Sequence, residues 1–323
     1  MLFCGGEALP PRYVYAKESA VTLRERRSLG SYVVLILPGL LIYAVIIAYP
    51  VIYSVGLSFT DFNPNARGAW NFVGLRHYIR MVGDPTFWHA FKNNMIVVAV
   101  SIFGQIPIGF VLAYILYRKL VKAPHLFQAL VFLPHFLSTI VIGTMWKRIF
   151  AANGPASGLI QLISGNPDAQ FTLMLGADTV MIPIGFALIW VYTGLYMIIF
   201  LANLQKINSD LLEAATIDGA NEPTIFFKLI VPLLAGTVLV SAVLAIAGSL
   251  RGFDLIYSIT TRGLQRDNAM VLPIYMYQTA FQDYRNPQRF AYGATISNAI
   301  VVISVVMILI SNQIGRGLHV EDE

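Results

Sequence analysis

Charge is what this sequence has least of. Only 12% of its 323 residues are Asp, Glu, Lys or Arg, against about 25% in soluble domains, while 57% are hydrophobic. Lipid is therefore the default solvent for the chain. Cysteine is nearly absent: the one Cys4 lies outside every apolar run, which excludes a disulfide framework and a cysteine metal cluster. His77, His89, His125, His135 and His319 share no metal-ligand spacing and no His-Glu-x-x-His occurs, so no metal site is expected. No Gly-x-x-x-x-Gly-Lys-Ser/Thr run cradles phosphates, so the chain has no route of that kind to ATP and no cofactor of its own is expected. No nucleophile–base pairing stands out among the plentiful Ser, Thr and Tyr residues, and the expectation is a chain without catalysis. The net charge of +5 is not organised into basic stretches interleaved with exposed aromatics, and nucleic acid is not an expected partner.

What is present is long apolar runs. A bilayer core takes roughly 20 apolar residues per helix, because each backbone amide must be bonded internally where there is no water. Six segments reach that length: 31–58, 93–117, 127–150, 180–204, 231–250 and 291–314. None contains Asp or Glu. Their basic groups are Lys147 and Arg148, near one end, where snorkelling to the interface is the plain reading. Pro38, Pro50, Pro107, Pro134 and Pro183 interrupt the runs and predict kinked, tilted helices. The fold class expected is thus all-α and polytopic, with a polar tail over 1–30, a membrane domain over 31–314 and a short tail over 315–323. The run behind the first tail has no small-residue cleavage site, so it reads as a retained anchor.

Orientation follows from basic residues near helix ends. Arg24, Arg26 and Arg27 precede the first run, and Arg118, Lys119 and Lys122 follow the second with no acid between, which places both termini in the cytoplasm. The long polar connector 205–230 then falls inside. Asp210 and Glu213 have the spacing of a capping box that starts a short helix, and Gly219 suits a left-handed helix stop. Asn221, Glu222 and Pro223 give a fresh start. The connector reads as a helix–turn–helix lying outside the bilayer, and Pro232 ends its second helix.

At this connector the residues run Glu213-Ala214-Ala215, three more, Gly219, nine more, then Leu229-Ile230-Val231-Pro232. The pattern resembles the EAA loop of ABC importer permeases, with Leu229 and Val231 as volume-conserving departures from Ile and Leu. Phe72-Val73-Gly74-Leu75 with Tyr78 and Asp84-Pro85-x-Phe87-Trp88 resembles the first outer loop of the carbohydrate-uptake branch. Phe253-Asp254-x-Ile256-Tyr257-x-Ile259-Thr260 resembles the end of its fifth core helix, followed by a reduced glycine turn, Arg262-Gly263-Leu264. The resemblance runs from about residue 31 to 314. It implies a bacterial inner-membrane permease with a second homologous permease, two ATP-binding subunits that hold ATP and Mg, and a solute-binding protein docking outside. It also implies that Glu213, Ala214, Ala215 and Gly219 couple the chain to the ATPases. Read from capping signals alone, the same residues suit an ordinary amphipathic connector.

A substrate path belongs at mid-membrane, lined by groups that stack on sugar rings and bond hydroxyls. Trp190, Tyr192, Tyr196 and Ser249 are candidates, with packing as their plain alternative. Arg251 and Asp254, three apart, suit a local ion pair closing a gate. The outer segments carry more basic than acidic residues, which fits either an acidic binding protein or a field that attracts an acidic, alginate-like oligosaccharide. An ion-driven transporter is the runner-up, weakened by the lack of carboxylates in the runs. A structural membrane scaffold is the third reading.

Overall fold

The computed structural model describes residues 34–63, 70–174, 176, 178–260 and 267–317. The expected tail over 1–30, residues 318–323 of the second tail and the 262–264 turn lie outside them. The chain divides into two units, Met1–Gly56 and Leu57–Glu323.

The first unit holds all but the last residue of α1, Val34–Leu57, which is strongly apolar and long enough to cross a bilayer. In the second unit the helices are α2 (Arg76–Val82), α3 (Pro85–Tyr117), α4 (Pro124–Phe136), α5 (Thr139–Ile149), α6 (Pro155–Ser164), α7 (Met181–Leu204), α8 (Ser209–Ile217) and α9 (Glu222–Leu233). They continue with α10 (Ala235–Arg251), α11 (Asp254–Ile259), α12 (Leu272–Tyr277) and α13 (Arg289–Gly317). Among the described residues the β contribution is one isolated bridge, Thr60 to Phe72.

Four helices, α1, α3, α7 and α13, have the length and apolarity of unbroken spans. The expected third span, 127–150, is corrected to two helices, α4 and α5, meeting at 97°. Pro134 withholds an amide bond near the end of α4, and Leu137 and Ser138 then take extended backbone with ψ of 149° and 127°. The fifth is entered through α9, which turns by 70° into α10 at Leu234, two residues beyond Pro232. With each bent pair taken as one span the total is six.

Other prolines are preceded by a widened turn. Three π-turns end two residues before a proline: Ala44–Ala48 before Pro50, Ser101–Gln105 before Pro107 and Ile225–Ile230 before Pro232. In each the residue preceding the proline donates its amide five residues back: Tyr49 to Ala44, Ile106 to Ser101 and Val231 to Phe226. A proline has no amide for the carbonyl four residues earlier and its ring crowds that oxygen, so a wider turn ahead of it relieves the clash; at Pro50 and Pro107 the helix runs on unbroken, while at Pro232 the 70° bend follows.

The core of the second unit is built on α7, against which the latter half of α3 packs along most of its length. Gly109 lets the two backbones close: a Cβ there would stand 2.7 Å from Tyr196 Cβ and 2.9 Å from the Met197 amide nitrogen. On the side facing α4, Gly194 does the same, with the Val131 carbonyl oxygen 2.5 Å from the position of a Cβ. Small residues at crossings suit membrane helices, which associate by close packing because lipid offers no hydrophobic drive. Phe110 and Phe200 stack beside the first crossing with ring centroids 4.3 Å apart.

Polar side chains fasten the end of the second unit remote from the connector. Asp84 caps α3, accepting from the Thr86 amide at 2.9 Å, while its other oxygen accepts from the hydroxyls of Tyr275 and, at 2.7 Å, Tyr292. Burial works against its ionised form, yet these hydrogen bonds prevail and hold the carboxyl below its usual range. Asn94, fully buried, donates to the Ser249 carbonyl at 3.1 Å and accepts from the Leu272 amide at 2.7 Å, joining α3, α10 and α12.

Candidate functional site: a mid-span cavity and an exposed connector

Between α3, α4, α7, α10 and α11 lies a cavity of about 520 Å³. Its walls follow from helical periodicity: Ser101 and Gln105 on α3, and Tyr192 and Tyr196 on α7, are each four residues apart and share a face. The π-turn of α3 carries both of its polar residues into this wall. Ser101 and Ser249 hydroxyls meet across it at 2.9 Å.

Five of the six residues singled out for a path line this one cavity: Tyr192, Tyr196, Ser249, Arg251 and Asp254. Trp190 does not. It lies two residues before Tyr192, roughly 200° around the helix, and packs edge-on against Trp146 at 5.6 Å with 38% of its surface exposed. The expected pairing of Arg251 with Asp254 is also corrected. Spacing of three presupposes one helix, but α10 stops at Arg251, Gly252 takes ψ 99°, and Asp254 begins α11. Both side chains are exposed, and the one ion pair among the described residues lies elsewhere.

Three polar lining residues are not among those singled out from the sequence: Ser101, Gln105 and His135. His135 stacks on Phe132 at 5.6 Å and meets Tyr192 edge-on at 5.8 Å, while its buried Nδ1 has no hydrogen-bond partner. The signal was available, since a Gln or His within an apolar run is costly and rarely idle.

The connector carries the second set of candidates. Helix α8 starts two residues earlier than the capping-box expectation. Asn208 is the cap, its Oδ1 accepting from the Asp210 amide at 3.0 Å, and Asp210 sits in the first turn. Gly219 ends the helix with φ +81°, the Ala220 amide reaching the Ala215 carbonyl and the Gly219 amide that of Thr216, a Schellman closure. Glu213, Ala214 and Gly219 are exposed and Ala215 is half-buried. Ile217 on the same helix is 85% exposed, an apolar side chain open to solvent on a polar connector.

Asn221 caps α9 through the Thr224 amide at 3.0 Å. The next residue, Glu222, forms an ion pair with Arg118 at the end of α3 and accepts from the Tyr114 hydroxyl at 2.6 Å. The Arg118 hydrogen bonds first, then that of Tyr114, hold the Glu222 carboxyl below its ordinary value of 4.5. The connector is thereby fastened to the helix that also carries Ser101 and Gln105.

Apolar spans around a largely apolar cavity that carries a few polar side chains, joined to an exposed helix–turn–helix, fit a membrane permease. The chain belongs to the family of binding-protein-dependent transport system inner membrane components, which matches residues 105–319. It is 30% identical over 294 residues to a probable ABC transporter permease protein of Pyrococcus horikoshii, covering 89% of this chain and 96% of that one. It is 33% identical over 286 residues to the alpha-glucoside transport system permease protein of Rhizobium meliloti, covering 85% of this chain and 79% of the other. Its fold matches, with a TM-score of 0.76 at 22% identity, a chain of a bacterial ABC transporter that imports the acidic polysaccharide alginate. That match covers 92% of this chain and 98% of the other. The carbohydrate-uptake expectation drawn from the connector and loops accords with these relatives.

Proposed function

We propose that this chain is one half of the membrane path of an ATP-driven importer of sugars or oligosaccharides, lying in the cytoplasmic membrane with both termini and the connector inside. The cavity lined by Tyr192, Tyr196, Ser249, Arg251 and Asp254 is its part of the path. Glu213, Ala214, Ala215 and Gly219 form the surface that receives two ATP-binding subunits, which hold the ATP and Mg. A second homologous permease completes the path, and a solute-binding protein delivers the sugar from outside. The chain itself performs no hydrolysis.

The observation that carries this reading is the coincidence, within one family member, of a mid-span cavity and an exposed connector fastened to a cavity-lining helix through Glu222. Movement of α8 and α9 has a direct route into the wall that holds Gln105, as a switch between inward- and outward-open forms requires. Substrate class rests on the family's relatives, one of which is an alpha-glucoside permease. The test is purification from mild detergent followed by reconstitution in vesicles. The expected outcome is co-purified nucleotide-binding subunits and sugar uptake that needs ATP and stops with vanadate. Uptake that follows an ion gradient and ignores vanadate would overturn the reading.

A further inference from the structure

Helix α6, Pro155–Ser164, carries no charged residue and has two unlike faces. At about 100° per residue, Ser157 and Gln161 fall on one side of it and Leu159, Leu162 and Ile163 on the other. The polar side is used inside the protein. Ser157, fully buried, donates its hydroxyl to the Ala151 carbonyl at 3.2 Å and accepts from the Phe171 amide at 2.9 Å. The Gln161 side-chain amide donates to the Ala169 carbonyl at 3.0 Å. The apolar side is bare: Leu159, Leu162 and Ile163 are 58%, 81% and 78% exposed. Turning them inward would break the hydrogen bonds that hold the opposite face.

What covers this face follows from the level at which α6 sits. Helix α5 ends at Ile149 with Lys147 and Arg148 in its last turn, where long basic side chains reach the lipid headgroups. The chain then closes at once into α6, so tightly that a Cβ on Gly154 would stand 2.2 Å from the Arg148 carbonyl oxygen. Phe171, whose amide holds Ser157, stacks on Phe150 with ring centroids 5.1 Å apart. One turn before Phe150, Trp146 meets Phe186 and Trp190 edge-on, within the first three turns of α7. Helix α6 is therefore held where the bent span of α4 and α5 leaves the bilayer and α7 enters it. Ile140 and Val141 on α5, and Ile182 and Phe186 on α7, are exposed apolar side chains of those membrane helices, so lipid adjoins the elements on both sides of α6. With ten residues, α6 is about 15 Å long, too short to span. A protein partner would call for hydrogen-bonding groups around an apolar centre, whereas Leu159, Leu162 and Ile163 offer hydrocarbon alone.

We propose that α6 is an interfacial anchor, lying in the plane of the outer leaflet with Leu159, Leu162 and Ile163 among the acyl chains. Such an anchor gives α5, which the break after Pro134 leaves without helical continuity to α4, a fixed outer end. The inference rests on the import reading above for its side of the membrane, since that reading places residues 151–179 outside.

The experiment uses the complete complex in vesicles of phosphatidylethanolamine and phosphatidylglycerol. In a Cys4→Ser background, single spin labels are attached through Leu159→Cys, Leu162→Cys or Ile163→Cys and, as an exposed polar reference, Asn166→Cys. Collision rates are measured with oxygen, which concentrates in acyl chains, and with a water-soluble nickel chelate. Co-purification of the other subunits reports assembly of each variant. The three labels on the apolar face should favour oxygen over nickel several-fold more than the Asn166 reference does, at a depth of about 5–10 Å below the headgroups. A nickel preference equal to that of the reference would show a face open to water, and exclusion of both reagents a face covered by protein. Either result overturns the anchor and leaves the import reading standing. A membrane-impermeant maleimide should reach Asn166→Cys from the side opposite the nucleotide-binding subunits. Reaction only from their own side would overturn the orientation in the import reading and the outer-leaflet assignment together.

Discussion

Replacing Glu222 by Gln removes the charge that fastens the connector to α3 while keeping the side chain's length. The Arg118 and Glu222 side chains are 23% and 45% exposed, so water screens the pair. An exposed ion pair contributes about 0.2–1 kcal/mol, and a hydrogen bond to a desolvated charge about 1.5–3 kcal/mol. A half-exposed carboxylate with Arg118 and Tyr114 on it falls between, at about 1.5 kcal/mol, or about tenfold in the population of docked connector. The assay is twofold: unfolding free energy of the purified complex, and sugar molecules moved per ATP hydrolysed. Glu222→Gln should lower the first by that amount and the second several-fold, while hydrolysis stimulated by the binding protein continues. Exchanging the pair, Arg118→Glu with Glu222→Arg, should recover part of both, giving a double-mutant coupling of about 1 kcal/mol. The pH dependence has a definite sign. Because the folded carboxyl lies below its ordinary 4.5, its contribution is complete above that pH and is lost as pH falls through the folded value. Wild type and Glu222→Gln should therefore differ at neutral pH and converge in acid. Equal stability at neutral pH, with an unchanged transport ratio, would refute the reasoning.

Gly219→Ala meets nothing within 4 Å, so its cost is the backbone's alone, about 1 kcal/mol for a Cβ at φ +81°. Thermal unfolding in detergent should show it, with ATP hydrolysis partly uncoupled from uptake. Ala214→Trp places bulk on the exposed face of α8, leaving the fold intact while retention of the ATP-binding subunits on purification falls. Gly109→Val drives a side chain into Tyr196 and the Met197 backbone, and parting α3 from α7 should destabilise the complex by about 1–3 kcal/mol in denaturant titration.

Where the sequence reading and the structure part, the reason is local. Tyr192 and Tyr196, four apart, face the cavity together, and the same periodicity puts Trp190 on the other side of α7. Composition marks an aromatic as a candidate, whereas phase along the helix decides what it faces. For Arg251 and Asp254 the phase argument itself failed, because it assumed a helix that Gly252 interrupts. In the connector the left-handed stop at Gly219 and the cap at Asn221 are legible because few residues tolerate those positions. The start of α8 was ambiguous: Asn208 and Asp210 are both good caps two residues apart, and the backbone after α7 turns extended at Asn208. Glu222 is more than a hundred residues from Tyr114 and Arg118 in sequence, and nothing local announces that they meet.

The prolines show how a breaker in the wrong solvent becomes a builder. In lipid every freed carbonyl must find an internal donor, so a helix facing a proline has two ways out. It can pass the preceding residue's amide one carbonyl further back, which widens the turn and keeps the span, as at Pro50 and Pro107. Or it can end within a turn and start again in a new direction, as after Pro134, where Leu137 and Ser138 become extended. At Pro107 the first solution has a consequence for the cavity. The widened turn runs from Ser101 to Gln105, the two α3 residues that bring polar atoms to its wall, so the feature that reads as an interruption of an apolar run is also what furnishes that run with a polar face.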